Sequence, residues 1–285
     1  MPELPEVQAH AERLARQFTG RSLNRFVPIT FTALKTAVPP PSDAYGLPLL
    51  EVGRRGKYLL LHFEPITFVV HLMQGGRLVV DEKQVAKPRG GQARFVFEPP
   101  DDGSVDAALL LTEQGTERRA GVWCVRTDSA LDELPLSKLG PEAHSFDTAS
   151  LQQRFKEHSM RLHGFLRDQR NIAGLGRMLA NEVCHRAKLS PFANTAKLTE
   201  AEVVRVLDAI QGALGDGLAY ERTRTDMSSS KDRPGRVHGR IGESCPECGD
   251  TIKSVSYSSY TVAYCPRCQT GAKVLADNTT SRFLR

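Results

Sequence analysis

The sequence predicts an α+β protein of several domains, in which an N-terminal helix and an antiparallel β-sandwich precede a helical domain and a zinc-ribbon β-hairpin. Three observations support this fold class. Short strand-like runs, broken by clusters of Gly, Pro and Asp, extend from about residue 21 to residue 130. The hydrophobic period becomes helical over residues 148–221. Four cysteines near the C-terminus form two Cys-x2-Cys pairs.

The composition is that of a folded protein with room for more than one domain. The chain has 285 residues, of which 40% are hydrophobic and 25% are charged, so disorder is excluded as its main feature. Its 38 Lys and Arg against 33 Asp and Glu give a formal charge of +5, which permits a polyanionic partner without requiring one. No apolar run is long enough to cross a bilayer, and MPELPEVQAH carries acids where a signal peptide carries basic residues. We therefore expect a cytoplasmic protein with no membrane partner.

The N-terminal half begins with a predicted helix over residues 5–18. Val7, Ala11 and Leu14 recur there at helical spacing, and Pro5 falls close to the first turn, where a missing N–H costs nothing. The runs that follow are YLLLHF, FVVHL, RLVV, ARFVF, ALLLT and GVWCVR. Their separation by turn residues is typical of an antiparallel sandwich or barrel. FEPPDDGSVD predicts a loop between two of these strands.

The C-terminal half follows a predicted interdomain linker, LDELPLSKLGPEAHSFD. Thr199, with Glu202 three residues later, forms a capping box that predicts a helix start. Gly174 and Gly176 interrupt an earlier helical pattern, so a tight turn should lead directly into the helix that carries Glu182. A loop rich in Ser, Arg, Lys, Gly and Pro runs from about residue 222 to residue 240.

The cysteine spacing C-x2-C-x16-C-x2-C predicts one structural zinc ion. Its predicted ligands are Cys245, Cys248, Cys265 and Cys268. Each pair presents two thiolates from one turn, and the interval suits a zinc ribbon whose two halves are joined by a β-hairpin. Two disulfides are the alternative, which fits poorly with a cytoplasmic protein. Cys124 and Cys184 have no ligand spacing and are predicted to be buried, unreactive thiols.

Six motifs touch nearly the whole chain: MPELPEV at the N-terminus, RRGKYLLL, KLGPEA, DQRNIAGLGRMLANE, VHGRIGESCPECG and YCPRCQ. In this order and at these spacings they resemble the formamidopyrimidine-DNA glycosylase and endonuclease VIII family. The resemblance implies a DNA-repair glycosylase with AP-lyase activity and a helix-two-turns-helix motif. It also implies a catalytic β-sandwich domain at 1–135, a linker at 136–147, a helix-two-turns-helix DNA-binding domain at 148–236, and a zinc-ribbon finger with a C-terminal tail at 237–285.

The chemistry of the N-terminus agrees with this resemblance. If Met1 is removed, Pro2 exposes a secondary amine, and α-amino groups have pKa values of about 7.7 to 8.0, so much of it is neutral and nucleophilic. Attack on the sugar C1′ would expel the damaged base, and the resulting iminium would permit strand cleavage by elimination. Glu3 is placed to move protons during these steps. The alternative is that these residues are only the solvated start of the chain.

The resemblance also assigns roles to charged residues elsewhere. It implies that Lys57 contacts phosphate and donates a proton, although an isolated lysine is ordinarily a solvated surface charge. It places acidic groups, here Glu6 and Glu182, where they tune the N-terminal amine, and both have the alternative of being helix-terminal or surface carboxylates. The implied DNA contacts are His71, Gln74, Arg118, Arg119, Gly176, Arg177 and Tyr260. Arg118 aligns best with the family's arginine opposite the everted base, and Arg119 is the alternative.

The chain departs from the family pattern at DNA-contacting positions. Arg177 replaces an asparagine, and Tyr260 replaces an arginine of the finger that grips phosphate. No arginine occurs in SVSYSSYTVAYC, which argues against an efficient second elimination. His163 replaces the lysine of the family's IKxxLLDQ stretch, so a phosphate contact there would need a protonated imidazole.

The residues that fill the space left by an everted base also differ. Gln74 stands where a methionine is expected, Met73 lies one position earlier, and Ala120 replaces a phenylalanine and is too small to intercalate. Met73 would act as a wedge if the local turn shifts. The catalytic N-terminus is therefore predicted to be intact while the DNA contacts are rebuilt.

Two functions follow from this pattern. The first is a glycosylase and AP lyase that excises a damaged, oxidised base, acting as a monomer near the nucleoid. The second is a non-catalytic or weakly catalytic paralogue that binds abasic, branched or single-stranded DNA. The expected partner is damaged or abasic DNA, duplex or single-stranded. The tail TGAKVLADNTTSRFLR, with Lys273, Arg282 and Arg285, is predicted to pack on the ribbon rather than on phosphate.

Overall fold

The computed structural model describes residues 1–99, 107–115, 117–227, 232–257 and 260–276. Most of the predicted loop FEPPDDGSVD lies outside the described residues, as do Arg282 and Arg285 of the tail. The chain divides into an N-terminal unit, Met1–Lys138 with Arg224–Met227, and a C-terminal unit, Leu139–Thr223 with Ser228–Arg285. None of the helices described is long and apolar enough to span a membrane.

The N-terminal unit is one helix and two four-stranded antiparallel sheets, as predicted. Helix α1 spans Leu4–Phe18. One sheet has the order β1-β6-β7-β5 and the other β2-β3-β4-β8. The strands are β1 Leu23–Pro28, β2 Glu51–Arg55, β3 Tyr58–Phe63, β4 Ile66–His71, β5 Gly76–Val80, β6 Gly91–Phe97, β7 Ala108–Glu113 and β8 Gly121–Arg126.

The two sheets share a core of large apolar side chains. Phe63 and Phe68 of one sheet contact Phe97 and Phe95 of the other, with ring centroids 6.3 and 5.2 Å apart. Because side chains alternate across a strand, the inward residues of each strand enter this core. The apolar face of α1 enters the same core at the positions predicted from its spacing. The sandwich alternative is therefore confirmed over a closed barrel.

The C-terminal unit carries the predicted helices and a β-hairpin. Its elements are α2 Thr148–Glu157, α3 Leu162–Arg167, α4 Arg177–Arg186, α5 Glu200–Arg222, β9 Lys253–Ser256, β10 Thr261–Tyr264 and α6 Pro266–Thr270. The capping box is confirmed, because the Thr199 N–H donates to Glu202 Oε2 at 2.8 Å and the Glu202 N–H donates to Thr199 Oγ1 at 3.4 Å. This cap fixes the start of α5, the longest helix among the described residues.

Candidate functional site

The start of α1 carries two predicted acids, Glu3 and Glu6, directly after the predicted nucleophile Pro2. The Glu3 N–H donates to Glu6 Oε2 at 2.8 Å, and the Val7 N–H donates to the Glu3 carbonyl at 3.1 Å. Glu3 and Glu6 are only 3% and 0% exposed, so Glu6 is not a surface carboxylate. It does cap the helix start, which agrees with the helix-terminal alternative, and its tuning of the Pro2 amine stays a prediction. Pro2 is buried just before the helix.

Lys57 lies in the turn of the β2–β3 hairpin. Arg55 pairs with Tyr58, which leaves Gly56 and Lys57 as a two-residue turn, and Gly56 has a left-handed φ of 56°. Lys57 is 7% exposed. An ammonium this buried requires compensating contacts, so Lys57 is not a solvated surface charge.

One arginine connects α1 to this turn. Arg54 Nε donates to Gln8 Oε1 at 3.1 Å, and its Nη1 donates to the Gly56 carbonyl at 3.0 Å. Leu4, the first residue of α1, precedes Gln8 by four residues, which is about 6 Å along the helix axis. The start of α1 and the Lys57 turn are therefore held on one framework within the N-terminal unit.

His71 lies beside Lys57 and is neutral near pH 7. It pairs with Tyr58 across β3 and β4, with ring centroids 4.4 Å apart. Burial, and then the charge of Lys57, lower the pKa of His71 to about 4. Its Nδ1 accepts the Met73 N–H at 3.2 Å and lies 2.7 Å from Met73 Sδ.

In the turn after β4, Gln74 rather than Met73 is the exposed residue. Met73 has a left-handed φ of 50° and packs partly against the core, whereas Gln74 is exposed at the turn. The turn thus presents Gln74 outward and holds Met73 inward. The shift that a Met73 wedge would need has not occurred in this structure.

In the loop before β8, Arg118 and Arg119 differ in their ion pairs. Glu113 Oε2 accepts the Arg119 and Ala120 N–H groups at 2.5 and 2.6 Å. The Arg119 guanidinium pairs with Glu117 at 2.9 Å. Arg118 is exposed and has no ion pair within the described part of the chain, which favours it as the DNA contact. Ala120 is buried in the core, which agrees with the expectation that it is too small to intercalate.

In the C-terminal unit, a braced turn leads into α4. Gly174 has a φ of 103°, which a side chain disfavours, and its N–H donates to Gln169 Oε1 at 3.0 Å. Gln169 Nε2 donates to the Leu175 carbonyl at 2.7 Å. Gly176 is the N-cap of α4, and Arg177 is exposed at its first position. The positive helix end and a guanidinium therefore coincide, an arrangement that suits an anion.

Glu182 anchors a loop. Its Oε2 accepts the Arg236 N–H at 2.7 Å, and its Oε1 accepts the N–H groups of Val237 and His238 at 3.0 and 2.9 Å. It is 5% exposed, so it is neither a surface nor a helix-terminal carboxylate. The prediction that Glu182 tunes the Pro2 amine is tested by none of these contacts and stays a prediction.

His163 does not offer the protonated imidazole that a phosphate contact would need. It is 2% exposed. Burial, and then the positive charge of Arg167, lower the pKa of His163 to about 3. The imidazole is therefore neutral at physiological pH, so the condition that the sequence set for a phosphate contact at His163, a protonated ring, is not met.

Tyr260 carries no charge, but a cation lies on its ring. The Arg167 Cζ is 3.8 Å from the Tyr260 ring centroid. Sequence reasoning missed Arg167. The available signal was that a charged residue stands where IKxxLLDQ has its second leucine.

The four predicted cysteine ligands meet in one cluster. Their sulfur atoms all lie within 4.8 Å of one another, with Cys245–Cys268 at 3.9 Å and Cys248–Cys265 at 3.4 Å. Tetrahedral zinc with bonds of about 2.3 Å places its sulfurs about 3.8 Å apart, so the cluster fits the ion. His185 Nε2 of α4 lies 3.3 Å from Cys245 Sγ and connects the finger to the helices.

The two remaining cysteines are buried and unreactive, as predicted. Burial raises the pKa of Cys124 to about 12 and also raises the pKa of Cys184. Because the thiolate is the reactive form, neither is a nucleophile near neutral pH.

Three family models match the chain. They are the formamidopyrimidine-DNA glycosylase N-terminal domain over residues 1–109, the formamidopyrimidine-DNA glycosylase H2TH domain over 139–229, and the zinc finger found in FPG and IleRS over 242–271. The four-cysteine cluster lies within the third match, so the cofactor is one structural zinc ion held by these cysteines.

Relatives match over nearly the full length. The formamidopyrimidine-DNA glycosylase of Heliobacterium modesticaldum is 32% identical, over 94% of this chain and 100% of the relative. The crystal structure of the MutM (Fpg) protein of Thermus thermophilus is 27% identical with a TM-score of 0.80, over 96% of this chain and 100% of that one. The Lactococcus lactis enzyme bound to DNA with an abasic site is 22% identical with a TM-score of 0.80, over 94% and 99%, and supports the fold alone.

Proposed function

Because the chain belongs to the formamidopyrimidine-DNA glycosylase family, we propose that it is a DNA-repair glycosylase with AP-lyase activity that removes an oxidised base through a Schiff base on Pro2. The observation that supports this most is the buried start of α1, where Pro2 and Glu3 directly precede the helix. Arg54 connects this helix to the turn that carries Lys57. Zinc has no part in the chemistry and supports the finger.

Removal of Met1 exposes the Pro2 nitrogen, which attacks C1′ of the damaged nucleotide. The C1′–N bond to the base breaks, and the base leaves with the bonding electron pair and takes up a proton. The amine then loses its proton, the C1′–O4′ bond opens with protonation of O4′, and an iminium links Pro2 to the sugar. Glu3 serves as the proton carrier, because it directly follows the reacting residue and is buried at the start of the helix.

The iminium makes the C2′ hydrogens acidic. Loss of one of them, with cleavage of the C3′–O bond, expels the 3′ phosphate and cuts the strand. Lys57 acts as the phosphate contact and proton donor in these steps. The neutral His71 beside it is a DNA contact through hydrogen bonding rather than through charge.

We assign the remaining DNA contacts separately to the two units. In the N-terminal unit these are Gln74 at its exposed turn and Arg118, whose guanidinium has no ion pair among the described residues. In the C-terminal unit these are Gly176 and Arg177, and Tyr260 takes part through the cation that lies on its ring. We propose an abasic site as one substrate, because the elimination acts on the sugar after the base has left. We further propose that the protein acts as a monomer in the cytoplasm, associated with the nucleoid.

A second candidate is a DNA-binding paralogue that turns over little or no substrate. Its support is the uncharged Tyr260 in the finger and the buried Ala120 where a wedge was expected. Retention of Met1 would favour this candidate, because it blocks the Pro2 amine, and the mass of the intact protein reports it.

An incision assay separates the two candidates. Oligonucleotides with an abasic site, an oxidised purine or an oxidised pyrimidine, each single- and double-stranded, are incubated with the mature protein. The enzyme predicts cleavage at the abasic site and at one class of oxidised base. Tight binding to abasic DNA without cleavage of any substrate contradicts the enzyme and supports the paralogue.

A further inference from the structure

Tyr260 belongs to a stack of parallel groups in the C-terminal unit. The Tyr257 ring lies 4.6 Å from the Tyr260 ring at an interplanar angle of 13°, and the His163 ring lies 6.2 Å away at 12°. The Tyr257 N–H donates to the Tyr260 carbonyl at 2.8 Å across the tip of the β9–β10 hairpin. Arg167 adds its guanidinium at 3.8 Å from the Tyr260 centroid. The finger tip is thus fixed to the end of α3 by an aromatic and cationic stack.

The Arg167 guanidinium in this stack has N–H donors that make no hydrogen bond with the described residues. Arg167 is half-buried at the last position of α3, and its side chain makes no ion pair or hydrogen bond with any of the described residues. The neighbouring acid is already engaged, because Asp168 Oδ2 and Oδ1 accept from Arg170 Nη2 and Nε at 2.7 and 3.0 Å. A guanidinium that lies over a ring without a hydrogen-bond acceptor among the described residues keeps its N–H donors available to an outside acceptor.

The surroundings favour an anion as that acceptor. Arg177, exposed at the positive end of α4, lies close enough to His163 to act on its pKa, as does Arg167. The His163 imidazole belongs to the same stack, and because it is neutral it adds no third charge that would repel the two guanidinium groups. Arg161 Nη1 donates to the Tyr257 hydroxyl at 3.0 Å and supports the Tyr257 ring of the stack. Two arginine charges, those of Arg167 and Arg177, therefore act on one ring of this stack.

We propose that Arg167, which lies on α3 outside the finger, supplies the phosphate-binding cation that the finger lacks, and that Tyr260 is the residue that positions its guanidinium. The ligand is a backbone phosphodiester of DNA, for which the planar guanidinium fork is suited. This proposal rests on the proposed function for the identity of its ligand. The cation then lies on α3 as Arg167, and the finger contributes the Tyr260 ring that supports it.

The test is the salt dependence of binding to a duplex that contains a non-cleavable tetrahydrofuran abasic analogue, measured by fluorescence anisotropy. Arg167→Ala should weaken binding about tenfold, the loss expected for one charged hydrogen-bonding contact. It should also reduce the slope of log K against log salt by about 0.9, the value for one phosphate. Arg170→Ala is the matched control, because it removes the same charge from an exposed residue that is paired with Asp168. If Arg167→Ala behaves like Arg170→Ala, the proposal is overturned.

The positioning role of Tyr260 has its own readout. Tyr260→Phe keeps the ring and should retain tight binding, whereas Tyr260→Leu should weaken it although no charge is lost. The double variant Arg167→Ala/Tyr260→Leu should be no weaker than Arg167→Ala, because both act through one guanidinium. Equal losses in Tyr260→Phe and Tyr260→Leu, or additive losses in the double variant, contradict the positioning role. Zinc content and helical circular dichroism confirm that each variant is folded.

This test does not depend on catalysis. If Arg167→Ala lowers the slope relative to the wild type but the wild-type protein forms no covalent intermediate with abasic DNA, the proposed function fails while the role of Arg167 stands. If the intermediate forms and Arg167→Ala keeps the wild-type slope, only the role of Arg167 fails.

Discussion

Replacing His163 by glutamine should make the C-terminal unit less sensitive to acid. The pKa of His163 is lowered from 6.5 to about 3 in the folded protein, mainly by burial. A base whose folded pKa is below its unfolded value is neutral in both states above pH 6.5. As the pH falls below that value, His163 binds a proton in the unfolded chain but not in the folded chain. The free energy of unfolding therefore decreases progressively until the pH reaches the folded pKa.

The size of the effect follows from the two pKa values. Between about pH 6.5 and about pH 5 the penalty reaches roughly 2 kcal/mol, since each pH unit contributes about 1.4 kcal/mol. Far-UV circular dichroism follows the helices of the C-terminal unit during urea unfolding. Fluorescence of Trp123, the only tryptophan in the chain, follows the N-terminal unit. His163→Gln should remove about 2 kcal/mol of the pH dependence from the helical transition and leave the Trp123 transition unchanged.

The matched control is His144→Gln, because His144 is an exposed histidine in the same unit. It should retain the wild-type pH dependence. An unfolding transition of His163→Gln that is as acid-sensitive as that of the wild type would refute the assignment of a buried neutral imidazole.

Three further predictions concern the zinc centre, the anchored loop and the exposed arginines. Chelation of zinc should unfold the finger and abolish DNA binding without altering Trp123 fluorescence, since the metal supplies the folding energy of a ribbon; tight binding by the metal-free protein would contradict this. Glu182→Ala should destabilise the C-terminal unit by about 3 kcal/mol in urea unfolding, because three backbone N–H groups lose their acceptor, whereas the exposed Glu157→Ala should have little effect. Arg118→Ala should reduce discrimination between bases opposite the lesion in incision assays, and Arg119→Ala should not; the reverse order would assign the role to Arg119.

Local patterns in the sequence were sufficient to predict most of the fold. The capping box at Thr199, the apolar spacing of α1 and the Gly174 turn each depend on residues close together in the chain, and the structure confirms them. The four zinc ligands were predictable because metal geometry restricts cysteine spacing. The position of Lys57 in a hairpin turn was also predictable, because a glycine directly precedes it.

Contacts between distant segments were not predictable in this way. The cation on Tyr260 comes from Arg167 on another element, and nothing near Tyr260 in the sequence indicates it. The acceptor role of Glu182 depends on a loop more than fifty residues later, at separations of 54 to 56. The neutral state of His163 depends on burial that only the folded packing creates. Such features arise from tertiary contacts, which spacing rules do not encode.

The most direct test of the catalytic proposal is borohydride trapping on abasic DNA, followed by mass mapping of the adduct. Mature protein without Met1 should form a covalent adduct whose modified peptide carries the sugar remnant on the Pro2 nitrogen. An N-terminal extension that blocks this amine should abolish the adduct, while DNA binding persists. Absence of an adduct from the mature protein, or an adduct that maps to Lys57 and survives the extension, would contradict Pro2 as the nucleophile.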